Sequence, residues 1–238
     1  MTIRFPGTAA AVTALALSLA SAAAQADSFG PTPYLSAADS PFVGVSGLFV
    51  IETFEDGALN TPGVSASPGW FVSGPSQFSD SVDADDGAID GTGAGGFAFY
   101  SAGTQTSVTF TFDAAALGGH LPTHAGLVFT DVGNVFAGSS GVGTVTFRAF
   151  DAADVEIGTA TAAVLGNGSA LSSTAEDRFF GVTHAAGVKR ITMSMDNSVD
   201  WEVDHLQYAV AVPEPSTYAL FALGAVAICA RVAKRRKT

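Results

Sequence analysis

From Thr217 to Ala230 the chain runs without a charge, and the eight residues that follow carry five: Arg231, Lys234, Arg235, Arg236 and Lys237. A buried C-terminal helix of a soluble domain has no use for a basic cluster that closes the chain. As a helix the uncharged run covers about 21 Å, short of a hydrocarbon core of about 30 Å. Arg231 and Lys234 have apolar stems that let their charges snorkel, which extends the span to a single transmembrane helix over about 216–233. The basic end then stays in the cytoplasm, and everything before Pro213 lies outside. Pro213 and Pro215 remove two backbone donors and push their neighbours toward extended geometry, so Val212–Pro215 is an exposed, stiff strip. Residues 212–238 therefore read as an address and an anchor, separate from the fold.

The other end is also a targeting segment. Arg4 supplies a positive start, Ala9 to Ala20 an apolar stretch, and Ala24-Gln25-Ala26 a small-x-small cleavage site. Residues 1–26 are expected to be a secretory signal peptide for the secretion translocon, cut between Ala26 and Asp27. The apolar stretch is too short and Ala-rich for a first transmembrane helix. Between the two ends, 21 of the 22 acids remain but only four of the ten Lys and Arg, which leaves 27–212 near −17. Such a surface repels nucleic acid and anionic lipid and suits divalent cations. The sole cysteine, Cys229, lies in the tail. No disulfide can form within the exported part, so its stability is expected to come from its core, or from a bound metal as well.

That exported part reads as one β domain. Thr106–Phe112 and Thr144–Phe150 alternate at period two, and Val188–Met195 and Trp201–Val210 do so less strictly. Gly, Asp, Asn or Pro bounds each run, the signature of strands joined by turns. Between Phe42 and Ala211 no run has helical period and length; Asp113–Gly119 suits a single helical turn. Many short strands at this spacing predict an all-β, jelly-roll-like β-sandwich over 42–211. The Pro-, Ser- and Ala-rich stretch 27–41 reads as a leader segment.

Two resemblances sharpen this. Val212-Pro213-Glu214-Pro215-Ser216, followed by the apolar run and the Arg-rich terminus, resembles the PEP-CTERM sorting signal of Gram-negative, biofilm-forming bacteria. The resemblance implies that an exosortase recognises the strip around Glu214 and cuts near it. The protein is then a membrane-anchored intermediate bound for the outer surface or the extracellular matrix. In the middle, Phe54-Glu55-Asp56-Gly57 with Gly69-Trp70, and Trp201-Glu202-Val203-Asp204, resemble the first and last strands of jelly-roll carbohydrate-binding modules. That resemblance implies that the two strands lie side by side. It also implies that acids from both, Glu55 and Asp204 with Glu52 and Asp56 as neighbours, hold a structural Ca2+. The family shows a second acid where this chain has His205.

Other constellations carry less chemistry. Asp80, Asp83, Asp85, Asp86 and Asp90 crowd eleven residues. Clustered Asp on a kinked loop supplies calcium oxygens, and Asp83, Asp85 and Asp86 are its candidates; yet counting from Asp83 puts Gly87 one position short of the EF-hand glycine. A solvated loop of Asx turns is the competing reading. His120 and His124 stand four apart, but Gly118, Gly119 and Pro122 argue against a helix that aligns them on zinc. No Gly-x-Ser-x-Gly elbow occurs, and Gly91–Gly96 precedes a strand-like run with no Lys after it. Trp70 and Trp201, with Phe71 and Tyr100, are candidates for a sugar platform, core packing being the default for the tryptophans. The expectation is a non-enzymatic exported protein associated with extracellular polysaccharide. A polysaccharide hydrolase or lyase on the same scaffold, and a ligand-free matrix protein, are the alternatives.

Overall fold

Alternation in sequence becomes alternation in burial. In the strand Ser107–Phe112, Val108, Phe110 and Phe112 are buried while Ser107, Thr109 and Thr111 keep contact with solvent. Arg190–Met195 repeats the pattern with Ile191, Met193 and Met195. The computed structural model describes residues 25–76, 78–84, 96–101, 105–132, 143–165, 176–196, 201–210 and, in the tail, 224, 225 and 228. The signal residues up to 24, the sorting strip, the terminal basic cluster, Asp85, Asp86 and most of the Gly91–Gly96 stretch lie outside them. Among the described residues no helix is long and apolar enough to cross a membrane.

The described strands are β1 Ala26–Pro33, β2 Leu48–Glu52, β3 Val64–Ala66, β4 Trp70–Ser73, β5 Ala98–Ser101 and β6 Ser107–Phe112. They continue with β7 His124–Val132, β8 Gly143–Phe150, β9 Glu156–Leu165, β10 Arg178–His184, β11 Arg190–Met195 and β12 Trp201–Val210. Two antiparallel sheets form a sandwich. One runs β1-β10-β7-β12-β5-β4, with β2 also on β12; the other runs β3-β6-β11-β8-β9. All four runs expected as strands are strands. The first–last pairing implied by the resemblance is present as well, from Glu52↔Leu206 to Leu48↔Val210. Its first strand is β2, however, and Phe54–Gly57 is the turn that follows it, with Phe54 at φ 59. Asp113–Gly119 closes one helical turn, the Leu117 amide donating to the Asp113 carbonyl at 3.1 Å.

The main core fills the space between the sheets with Phe99, Phe110, Phe147, Phe180, Ile191, Trp201 and Leu206. A second, smaller core lies on the outer face of the first sheet, where Tyr34, Phe42 and Val82 cover Val128 and Phe179. This second core corrects the expected leader. Residues 27–41 belong to the domain: β1 pairs with β10 from Ala26↔His184 to Pro33↔Arg178. The sequence hides the strand because its pairing uses backbone groups, while its Ser, Gly and Pro residues show no apolar alternation. After β1 the chain crosses the sheet as a strap. Ser36 and Asp39 form a capping box around the short 3-10 turn Ala37–Asp39. Tyr34 stacks on Phe179, and Phe42 meets Phe29 and Phe179 edge-on.

The strap explains why β12 alternates only loosely: all ten of its residues are buried. Its inner face meets the second sheet, and its outer face lies under the strap and the 79–83 loop. A strand covered on both sides reads as a near-continuous buried run. Phe42→Ala should therefore cost about 3–5 kcal/mol in a urea titration. Val43→Ala next to it, at a residue 58% exposed, should change stability by less than about 0.5 kcal/mol.

Candidate functional site

The outer face of β12 concentrates the buried polar chemistry of the domain. Glu202, Asp204, His205 and Gln207 project there, and each is at most 3% exposed. Between Asp204 and Gln207 the pairing with β7 shifts register. His205 sits in that bulge at φ 40, a left-handed conformation uncommon for a residue with a Cβ. The bulge turns two consecutive side chains, Asp204 and His205, to the same side. That is what the His in place of a second acid does in this chain.

Each polar group on this face holds down a covering segment. Glu202 Oε2 accepts from the Asp80 amide at 2.7 Å, and Asp204 Oδ2 accepts from the Val82 amide at 2.9 Å. Asp204 Oδ1 accepts from the His205 amide at 2.6 Å. From the other side, Glu55 Oε1 accepts from the Ser81 hydroxyl at 2.9 Å and from the Phe97 amide at 2.8 Å. A Cβ on Gly96 would come within 2.5 Å of Ser81 Cβ and 2.9 Å of that carboxylate oxygen, so only glycine fits. Three carboxylates, two on β12 and one on the turn after β2, thus clamp residues 80–82.

The strap is held by a second network. The Gln207 amide donates to the Tyr34 hydroxyl at 2.8 Å, and that hydroxyl stands 3.0 Å from His205 Nδ1. Accepting from Gln207 leaves the Tyr34 proton for Nδ1, which assigns the neutral tautomer with its proton on Nε2. Nε2 faces Asp83 Oδ1 at 3.3 Å. His205 beside Asp83 holds that carboxyl below the ordinary carboxylate range. Ser40 Oγ donates to Gln207 Oε1 and accepts from the Phe42 amide. Burial pushes the Tyr34 hydroxyl up. It also pushes Asp204 up to about 7, against the opposing pull of the His205 and Val82 amides.

Among the residues nominated for calcium, the described ones bind protein groups, and Asp85 and Asp86 lie outside the described residues. Both Asp204 oxygens face backbone amides, Glu55 binds Ser81 and Phe97, and Asp83 meets His205. Glu52 accepts from the amides of Phe54 and Thr61 and from the Thr61 hydroxyl, and Asp56 accepts from the Ala58 amide, so both shape the turn after β2. Among the described residues, no group of three or more His, Cys, Asp or Glu is arranged to hold a metal ion. The described acids do not form the centre implied by the resemblance. They bind protein N–H and O–H groups one loop at a time.

The tryptophans are corrected too. Trp201 is fully buried and Trp70 is 9% exposed. They take the inward positions of β12 and β4, their rings 4.7 Å apart and edge-on, and Trp70 Nε1 donates to the Ser107 carbonyl at 3.0 Å. The outward position next to Trp70 belongs to Phe71, which is 47% exposed. Register places Phe71 opposite Tyr100 and Tyr100 opposite Glu202. The two rings stand edge-on at 5.5 Å. Strand alternation would have separated Phe71 from Trp70 in the sequence; it does not say which of the two faces outward.

Asp204 sets a pH signature. An acid whose pKa is higher folded than unfolded favours the folded state most when protonated, and that advantage is lost as pH rises from about 4 to about 7. Asp83 has the opposite sign, and its contribution is lost only as pH falls below its ordinary value near 4. Comparing thermal midpoints of wild type and Asp204→Asn across pH 4 to 8 should show wild type losing stability relative to the variant between about pH 4 and 7, with a constant difference above.

Residues 211–236 match the family model described as the PEP-CTERM protein-sorting motif. No curated protein matches the chain. The match begins at the residue after the last residue of β12, so the chain is a β-sandwich joined without a spacer to an exosortase sorting motif.

Proposed function

We propose that this exported protein, once sorted by exosortase, associates with extracellular polysaccharide through the outer face of β4 and β5. It does so as a binding or matrix component without turnover of its own. The sorting motif supports export and membrane-anchored sorting to the cell surface. The observation that carries the ligand class is the Phe71–Tyr100 pair. The exposed Phe71, with the half-buried Tyr100 ring edge-on beside it in register on the adjacent strand, offers a ring face on which sugar C–H groups stack. Phe78, 58% exposed on the loop after β4, adds apolar area near the same end.

The acids favour binding over hydrolysis. Asp204 has the raised pKa of a general acid, but it is fully buried beneath Val82, with both oxygens engaged. Glycoside cleavage needs two carboxylates that flank an open groove at a fixed separation. Polysaccharide pull-down or calorimetry with the native exopolysaccharide tests the reading. Phe71→Ala and Tyr100→Ala should each weaken binding by about tenfold or more, the scale of one lost ring contact, with thermal midpoints unchanged. Binding that survives the double variant contradicts the assignment.

A further inference from the structure

We infer that one end of the sandwich is built to lie against the lipid surface while the tail is in the bilayer: the end formed by the 114–123 turn, the 185–188 turn and Leu48. The first observation is the length of chain beyond the fold. Val210, nearly fully buried, pairs with Leu48 as the last residue of β12. The apolar run starts seven residues on, at Thr217, so the connection spans at most about 25 Å fully extended. About 5–8 Å of that lies within the headgroup layer.

The second observation is that both chain ends leave from this place. Ala26, where the signal segment is expected to end, pairs with His184. The His184 amide donates to the Thr123 carbonyl, and the Thr123 amide donates to the Ala209 carbonyl, each at 2.8 Å. Ala26 and Ala209 therefore stand on one line across β1, β10, β7 and β12, about 14 Å apart at ordinary strand spacing. The expected cut after Ala26 and the start of the tail therefore lie at the same end of the sandwich.

The third observation is charge. A hollow of about 420 Å³ at this end is lined by His120, Leu121, Thr123, Ala185, Ala186 and their neighbours, with no carboxylate among them. Leu48 is 51% exposed beside it. Asp154 pairs with Lys189 and Arg190 there, Asp113 and Asp151 cap turns, and Asp27 is exposed beside Ala26. The opposite end carries Asp80, Glu176, Asp177 and Glu202, all buried, and Asp83 beside His205. The lining of this hollow, free of carboxylates, is the part of a polyanion that anionic headgroups repel least.

The test uses the full chain with Cys229→Ser, which removes the sole cysteine. Ala186→Cys or Phe78→Cys then carries a fluorophore. Each protein is reconstituted in phosphatidylethanolamine–phosphatidylglycerol vesicles that contain a lipid with a headgroup nitroxide. The 186 probe should lose most of its emission and the 78 probe almost none. A spacer of about twenty Gly and Ser residues inserted after Val210, which replaces a short tether with a flexible coil, should bring the two probes to equal emission. The proposal rests on the tail holding the chain in the membrane, which flotation of the vesicles reads separately. Protein that fails to float overturns the anchor. Floating protein with equal quenching at 186 and 78, or with 186-to-186 crosslinking between copies, overturns the orientation alone.

Discussion

The burial of β12 on both faces governs the rest of this structure. Its inner face contributes Trp201, Val203, Leu206 and Tyr208 to the main core. Its outer face carries an acid, a second acid, a histidine and a glutamine, none of which can be left bare under a cover. Each must find a partner, and the partners are the amides and hydroxyls of the 80–83 loop and the 34–45 strap. The covering segments are placed by polar groups that need them and held by the small aromatic core around Phe42. The bulge at His205 is the device that fits two polar side chains, in sequence, onto one face.

Seen in this way, the acidic composition has two origins. Much of it is surface charge of the kind that keeps an exported protein soluble. Another part anchors loops: Glu52, Glu55, Glu202 and Asp204 accept from the amides and hydroxyls of the segments around them. Charge-assisted bonds from carboxylates to backbone amides are among the stronger hydrogen bonds available to a fold. They suit a domain that contains no cysteine and therefore no disulfide.

Strands with one solvent face, such as β6, β8 and β11, were legible in the sequence because their side chains alternate. β12 was legible from its aromatic and β-branched content and its bounding residues. β1 was not, since a Ser-, Gly- and Pro-containing edge strand held by backbone pairing leaves no periodic trace; nor was β9, whose Ala, Thr and Gly residues mark neither face. At the site, the sequence drew attention to Glu55 and Asp204 as calcium ligands, but it does not distinguish carboxylates that gather on a cation from carboxylates that each bind a different amide. Trp70 and Phe71 illustrate the same gap at the sugar platform. The sorting motif was fully readable because it acts as a linear signal. Its direct attachment to the last strand emerged only with the fold, and it is this attachment that links the architecture of the sheet to the protein's posture at the membrane.

Native-state hydrogen exchange tests the dependence on β12 most directly. If polar anchoring makes the strap and loop part of the same cooperative unit, the amides of Phe42, Asp80 and Val82 exchange with the protection of the β12 core, through global unfolding. Exchange of those three amides by a local opening, orders of magnitude faster than Val203 and Tyr208, would contradict the account.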